Sequence, residues 1–224
     1  MKLLEEFGLN KEQINKFDTF LNLLLEWNEK FNLTAITDED EIEEKHFIDS
    51  IELVKYFDTK NKSLLDVGSG AGFPGIPLAI VDPSLKVTLL ESNGKRVSFL
   101  REAIRVLRLK NVDIIQGRAE ELGTREKYDF VTARAVKELN ILLELCFYLV
   151  KVGGSFVAYK SSGVDEEILN AKHAFKCLQI EDYKKFDYFL PKSKNSRVFL
   201  WILKKNKTQK KYPRVYGEII KQPL

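Results

Sequence analysis

The sequence has few of the cysteine and histidine residues that bind zinc. Its 224 residues include two cysteines, Cys146 and Cys177, and two histidines, with no Cys-x-x-Cys pair. A structural zinc ion takes about four such ligands, often in closely spaced pairs. We therefore expect no metal site, and the apolar sequence around both cysteines predicts buried thiols.

Long apolar runs are missing too. No stretch approaches the ~20 apolar residues that cross a bilayer. The start, Met1-Lys2-Leu3-Leu4-Glu5-Glu6, lacks the apolar region of a signal peptide. A cytoplasmic protein with no membrane partner is predicted. With 44% hydrophobic and 31% charged residues, the chain has the composition of a soluble protein with one sizeable α/β core.

One stretch organises the rest of the chain. The apolar run that begins at Leu64 leads through Asp66 into a loop with glycines at alternate positions, Gly68, Gly70 and Gly72. Glycines leave main-chain amides open to close approach by a ligand. A dinucleotide-binding loop would have a third glycine where this chain has Phe73. The spacing favours a cofactor without phosphate, such as S-adenosylmethionine, although such a turn can also serve only to reverse the chain.

A carboxylate strengthens the hypothesis of a nucleoside ligand. Residues 86–91 read as a second strand that ends in Glu91, nineteen residues beyond Gly72. An acid at this place can accept both hydrogen bonds of a ribose diol. Loop and acid together predict adenosine binding.

Strand and helix patterns alternate along the chain. Helices are predicted at 10–31, 39–57, 93–109, 138–150 and 165–177, and strands at 64–67, 86–91, 112–116, 128–133, 155–160, 180–190 and 197–204. The last two strands read as an antiparallel pair. The order predicts an α/β fold with a mostly parallel seven-stranded sheet that binds its ligand at the carboxyl ends of the strands. We divide it into an N-terminal helical extension (1–61), a core domain (62–205) and a basic C-terminal tail (206–224).

The charge is unevenly distributed. Residues 1–61 carry fifteen acidic and seven basic side chains, whereas residues 192–221 carry ten basic side chains and one acidic one. A basic tail beside a nucleotide-type fold points to a polyanionic partner. A solvated tail that maintains solubility explains the same charge equally well.

Several motifs together resemble the RsmG (GidB) family of ribosomal RNA methyltransferases. They are the double-proline glycine loop 65–77, Trp27-Asn28 with Asn32-Leu33-Thr34, His46 with Asp49-Ser50, Gly94-Lys95-Arg96, Arg134-Ala135, and Lys211-Tyr212-Pro213-Arg214 with Pro223-Leu224. The resemblance covers nearly the whole chain, but residues 215–222 depart from the family's tail and keep only Gly217. It implies a Rossmann-like class I fold dependent on S-adenosyl-L-methionine (SAM). The substrate it implies is N7 of a guanine in the decoding-region loop of 16S rRNA, in free rRNA or in the small ribosomal subunit.

The resemblance and the motifs together predict the site residues. Guanine N7 carries a lone pair and no proton, so we expect no catalytic acid or base, only positioning. The expected cofactor-binding residues are Asp66, Gly68, Gly70, Gly72, Phe73, Glu91, Ala119, Glu120 and Arg134. Ala119 and Glu120 should border the adenine and Phe73 the edge of the pocket. The alternative for Arg134 is a salt bridge to Glu91 or Asp66.

Five further residues are predicted to contact RNA. Lys95, Arg96 and Lys160 should neutralise phosphates, and Asn32 and His46 are candidates for the guanine side. A monomer is expected. Three alternatives remain: a nicotinamide-dependent dehydrogenase, which Phe73 disfavours; a non-catalytic rRNA-binding assembly factor; and a small-molecule methyltransferase, in which Lys95, Arg96 and the basic tail would have no role.

Overall fold

The computed structural model describes residues 1–134 and 137–224. Ala135, half of the Arg134-Ala135 motif, lies outside the described residues. Within the described part, seven strands form one sheet in the order β3-β2-β1-β4-β5-β7-β6. The strands are β1 (Ser63–Val67), β2 (Lys86–Glu91), β3 (Val112–Gln116), β4 (Tyr128–Arg134), β5 (Val150–Lys160), β6 (Tyr183–Phe189) and β7 (Ser196–Leu203).

The sheet is mostly parallel, as predicted. Strands β1 to β5 pair in parallel, and β7 pairs antiparallel with both β5 and β6. Strands β2 and β3 lie on one side of β1, and β4 lies on the other side, so the strand order reverses between β1 and β4. The carboxyl ends of β1, β2 and β4 therefore meet at one edge, where a crevice opens in this class of sheet.

Helices cover both faces of the sheet. Their bounds are α1 (Lys2–Glu6), α2 (Lys11–Phe31), α3 (Glu39–Ile42), α4 (Asp49–Ile51), α5 (Gly75–Val81), α6 (Gly94–Leu107), α7 (Leu139–Cys146), α8 (Val164–Asn170), α9 (Lys172–Cys177) and α10 (Tyr216–Lys221). The predicted N-cap of α2 is confirmed. The Asn10 side chain accepts a hydrogen bond from the backbone amide of Gln13, and the Gln13 side chain accepts one from the backbone amide of Asn10. No described helix has the length and apolar character that crossing a bilayer would require.

The predicted second helix is not a regular α-helix. Between α3 and α4 the chain forms a π-helical turn, Glu43–Ile48, and after α4 a 3₁₀ turn, Glu52–Lys55. The π turn contains His46 and directly precedes Asp49. Such turns occur most often at functional sites.

Aromatic rings join the N-terminal helices to the sheet domain. The Phe20 ring of α2 lies 5.6 Å from Phe47, 5.4 Å from Phe73 of the glycine loop and 6.3 Å from Phe99 of α6, between ring centroids. All four are buried. Rings at these separations attract one another beyond their burial, so the extension supports the loop directly. The boundary at residue 61 stays a prediction.

Three local expectations are wrong. The helix expected over 138–150 ends as an α-helix at Cys146, and β5 begins at Val150 and runs through Gly153 and Gly154. A Cβ at Gly154 would lie 2.7 Å from the carbonyl oxygen of Asp129, so only glycine fits there. The helix expected over 165–177 breaks at Ala171 into α8 and α9. Cys146 is buried, but Cys177 is partly exposed.

The C-terminal segment is folded against the core. The buried Glu144 of α7 receives the Arg214 guanidinium, with Nε–Oε1 2.8 Å and Nη2–Oε2 2.6 Å. Arg125 donates to the carbonyl oxygens of Thr208, Gln209 and Tyr212. The alternative of a solvated tail is therefore wrong for these residues.

Candidate functional site

The glycine loop is held at the end of β1 by its own backbone. The amides of Gly68 and Ser69 donate to the Leu90 carbonyl oxygen at 2.8 and 3.1 Å. Gly70 (φ +58°) and Gly72 (φ +89°) adopt the left-handed conformation. A Cβ on Gly72 would lie 2.5 Å from Ile76 Cδ1, whereas one on Gly70 would meet only the Gly68 oxygen, at 3.9 Å. Gly72 is required for packing, and Gly70 leaves space above the loop.

Glu91 ties the loop to the end of β2. Its buried carboxylate accepts from the Gly70 amide at 2.9 Å and from the Asn93 amide at 2.8 Å, one to each oxygen. A carboxylate has about four acceptor positions. Two therefore remain for a diol, as the sequence predicts.

A small cleft opens beside Glu91. Its volume is about 130 Å³. Its lining residues are Val67, Gly68, Leu90, Glu91, Ser92, Gly117, Arg118, Ala119, Glu120, Lys137, Leu145 and Tyr216. The Oε1 atom of Glu120 is buried there and has no hydrogen-bond partner among the described residues, and Arg118 Nη1 lies 3.9 Å from it. A mostly apolar slot with an unsatisfied carboxylate oxygen fits a nucleobase that bears an amino group.

Asp66 lies beneath the loop. Its side chain is fully buried, and Oδ2 accepts from the Gly75 amide at the start of α5, at 3.0 Å. Its Oδ1 has no hydrogen-bond partner. Burial raises the pKa of Asp66 to about 7. The geometry gives Asp66 a contact with the loop backbone and no surface toward the cleft.

A wider cleft, of about 690 Å³, lies at the end of β4 and shares Lys137 with the small one. Arg134, the last residue of β4, lines it and donates from Nη1 to Asp49 Oδ2 at 3.0 Å. Asp49 is buried, and its Oδ1 accepts from the Tyr188 hydroxyl at 2.9 Å and lies 3.3 Å from Arg197 Nε. One carboxylate thus fixes two arginines in this wall. The alternative of a salt bridge from Arg134 to Glu91 or Asp66 is wrong.

His46 completes the Arg134 environment. Arg134 Nη2 lies 3.3 Å from His46 Nδ1, and His46 Nε2 lies 2.8 Å from the Thr34 hydroxyl oxygen. Because a guanidinium only donates, Nδ1 is the acceptor and Nε2 carries the proton. Burial, reinforced by the charge of Arg134, lowers the pKa of His46 to about 3. The imidazole is therefore neutral at physiological pH, and it stacks on Phe73 at 4.6 Å between centroids.

The sequence matches known proteins along most of its length. The family model of rRNA small subunit methyltransferase G, GidB, matches residues 13–194. The chain belongs to the GidB family. It is similar to proteins named ribosomal RNA small subunit methyltransferase G from Acetivibrio thermocellus, 50% identical over 97% of this chain and 92% of that protein, and from Lachnoclostridium phytofermentans, 46% identical over 96% and 91%. The Bacillus cytotoxicus relative is 47% identical over 97% and 93%.

Solved structures confirm the Rossmann-like methyltransferase fold. A SAM-dependent methyltransferase from Aquifex aeolicus superposes with a TM-score of 0.56 at 18% identity, over 74% of this chain and 93% of that one. A putative SAM-dependent methyltransferase from Methanococcus maripaludis gives a TM-score of 0.59 at 16% identity, over 75% and 91%. At these identities the likeness extends to the fold alone.

The cofactor-binding residues predicted for this GidB-family chain fall into three places. Gly68, Glu91, Ala119 and Glu120 line the small cleft, with Gly70 hydrogen-bonded to Glu91. Asp66, Gly72 and Phe73 do not line either cleft. The side chain of Phe73 packs on Phe20 and His46. Arg134 faces the wider cleft. Their contacts with a cofactor stay predictions.

The predicted RNA-binding residues share one edge of the molecule but differ in surroundings. Lys95 and Arg96 are exposed at the start of α6, where Arg96 Nη1 lies 3.9 Å from Glu91 Oε2. Asn32 is exposed at the left-handed C-cap of α2. Lys160 is mostly buried, and its amino group donates to Glu167 Oε2 at 2.5 Å. Lys160 is therefore already neutralised within the protein.

Several residues at the clefts were not predicted from the sequence, among them two that line the small one. Tyr216 and Lys137 line the small cleft. Tyr216 lies in the segment that departs from the family pattern, so no motif pointed to it. Among the described residues, no group of three or more His, Cys, Asp or Glu side chains could hold a metal ion.

Proposed function

We propose that this GidB-family protein transfers a methyl group from S-adenosyl-L-methionine to N7 of a guanine in the decoding-region loop of 16S rRNA. The observation that carries the proposal is the pair of clefts that share Lys137 at the carboxyl ends of the strands. One cleft fits a nucleoside, and the other has cationic walls. A methyltransferase acting on RNA needs both next to each other.

The residues of the small cleft fit the nucleoside part of the donor. Glu91 retains acceptor positions for a ribose diol, and Glu120 offers an unpaired acceptor to an amino group. A volume of about 130 Å³ is below the roughly 300–1,000 Å³ of most ligand pockets. A ligand larger than a nucleoside would therefore extend past Lys137 toward the wider cleft.

Methyl transfer to guanine N7 requires the protein to position the two reactants and does not require it to transfer a proton. When bound, the donor supplies a methyl group on a sulfonium, and guanine N7 supplies a lone pair without losing a proton. Accordingly, the imidazole nearest Arg134 has both nitrogens occupied and stays neutral. Asp49 fixes Arg134 and Arg197, so their guanidinium groups are held in place before any substrate binds.

The deciding experiment is transfer of labelled methyl groups. The protein is incubated with methyl-labelled SAM and with small ribosomal subunits that lack the modification, and the label is mapped by strand cleavage specific for N7-methylguanine. Label at one guanine of the decoding-region loop is expected. Measured SAM binding without transfer to subunits or to free 16S rRNA would refute the rRNA assignment and leave the fold standing.

Three substrate forms should be compared in parallel: free 16S rRNA, partly unfolded subunits and mature subunits. A target base must leave its stack before it can enter a cleft of this kind. The form that exposes the loop should therefore react fastest. Glu91→Ala is the matched loss-of-binding variant, and it should abolish both SAM binding and transfer.

Salt dependence tests the exposed basic residues. Lys95→Gln should weaken RNA binding and reduce the slope of log affinity against log salt by about 1, as expected for one lost phosphate contact. Lys11→Gln is the control, because Lys11 is exposed at the start of α2, near the far end of α5. Equal slopes for all three proteins would exclude Lys95 from the RNA interface.

We also infer that the protein acts as a monomer in the cytoplasm. Light scattering at micromolar concentration should give the mass of one chain, 25.9 kDa. A dimer mass would refute the monomer.

A further inference from the structure

The C-terminal segment 206–224 is anchored to the core next to the small cleft. Arg214 is held by the buried carboxylate of Glu144 through two side-chain hydrogen bonds, and its amide donates to Glu144 Oε1 at 3.0 Å. Tyr212 and Ile219 are buried on either side of it. A segment anchored before and after residue 216 presents that residue in a defined position.

Tyr216 lines the small cleft. It begins α10, is half-buried, and shares the cleft with Gly68, Glu91 and Ala119. The guanidinium of Arg118 lies over its ring, with Cζ 5.0 Å from the ring centroid. A cation over the face of a tyrosine ring is attracted to it electrostatically and favours this orientation of the ring.

A second observation points to what the ring faces. Glu120, on the same wall as Arg118, has a side chain with 7% exposure and an Oε1 atom without a hydrogen-bond partner. A buried carboxylate oxygen in this state is able to accept a hydrogen bond from a bound ligand. An aromatic ring and an acceptor that line one apolar slot match the face and the amino edge of adenine.

We propose that the C-terminal segment forms the outer wall of the cofactor cleft and that Tyr216 packs against the adenine ring of the bound methyl donor. Arg118 positions the ring. The inference rests on the proposed function, since it assumes that an adenosine-containing cofactor occupies this cleft.

Calorimetric titration of the full-length protein with S-adenosylhomocysteine tests the proposal without any turnover. Loss of base–aromatic stacking costs about 1–3 kcal/mol, so Tyr216→Ala should raise the Kd about tenfold. Tyr216→Phe keeps the ring and should bind like the wild type. Val215→Ala is the matched control, because Val215 is adjacent and 69% exposed, and it should leave the Kd unchanged.

Two further measurements separate a ligand contact from a structural role. Tyr216→Leu keeps a large apolar side chain in the segment but has no aromatic face, and it should bind several-fold more weakly. In hydrogen exchange, amides of 216–221 should be slowed by S-adenosylhomocysteine in the wild type and not in Tyr216→Ala. Unliganded melting temperatures should agree within about 2 °C for all variants.

The possible outcomes separate the two hypotheses. If the wild type does not bind S-adenosylhomocysteine, the proposed function is wrong. If the wild type binds and Tyr216→Ala and Tyr216→Leu bind equally well, Tyr216 is not a cofactor contact and the inference is overturned, while the methyltransferase assignment stands.

Discussion

The neutral imidazole of His46 should make the free energy of unfolding depend measurably on pH. The pKa of His46 is about 3 in the folded protein, against an ordinary value of 6.5. Between these values the unfolded chain binds a proton that the folded chain does not. Stability from this residue is therefore fully present above pH 6.5 and is lost as the pH falls toward 3. At pH 5, one and a half units below 6.5, the loss is about 2 kcal/mol.

The variant His46→Gln removes this titration while keeping one donor and one acceptor. Asp66 acts in the opposite direction, because its raised pKa lets the folded protein bind a proton first as the pH falls from about 7 toward 3.8. The wild-type curve alone therefore combines both effects. The difference between wild type and His46→Gln isolates the histidine, and any constant loss from the missing stack on Phe73 appears as an offset.

Urea unfolding at half-unit steps from pH 8 to pH 5 is the assay. The free-energy difference between wild type and His46→Gln should be constant above pH 7 and fall by about 2 kcal/mol by pH 5. His173→Gln is the control, since His173 is the other histidine and is exposed on α9. A flat difference curve for His46→Gln would refute the buried neutral imidazole.

Three further predictions concern buried groups. Asp49→Asn should lower the free energy of unfolding in urea by about 3–5 kcal/mol, because it leaves the mostly buried Arg134 uncompensated. Asp40→Asn, at an exposed ion pair, should change the free energy of unfolding by less than about 1 kcal/mol. Gly72→Ala should lower the free energy of unfolding by about 1–3 kcal/mol, since Gly72 has a φ of +89°. An unchanged urea midpoint would contradict that conformation. Asp66→Asn should abolish the rise in stability that the Asp66 proton gives as the pH falls from 7 to 4; an unchanged slope would show that this carboxyl is ionised when folded.

The arrangement of the small cleft was predictable because its determinants are local. The loop glycines and Glu91 are close in sequence, and each follows directly from the end of a strand. Neighbouring parallel strands end at the same edge, so Glu91 of β2 reaches Gly70 beyond β1 without further information. The position of Ala119 and Glu120 after β3 follows for the same reason.

The wider cleft was only partly predictable, because its key contact joins distant elements. Asp49 and Arg134 are separated by 85 residues, and the pairing depends on how the π turn at 43–48 sits against β4. Hydrophobic periodicity predicts a regular helix there and cannot reveal a π turn. The place of Tyr216 likewise depends on the contact between Arg214 and Glu144, 70 residues apart.

Charge counting from the sequence is the least reliable guide to the RNA-binding surface. Of the ten basic residues in 192–221, five form ion pairs within the described structure: Lys192, Arg197, Lys204, Lys205 and Arg214. Arg197 and Arg214 pair with the buried carboxylates of Asp49 and Glu144, so a phosphate would have to displace a carboxylate to reach either of them. Lys160 is paired in the same way. Lys207, Lys210, Lys211 and Lys221 of the tail stay exposed, as do Lys95 and Arg96 at the start of α6. Arg96 Nη1 lies 3.9 Å from Glu91 Oε2 of the small cleft, so we expect RNA contact there first.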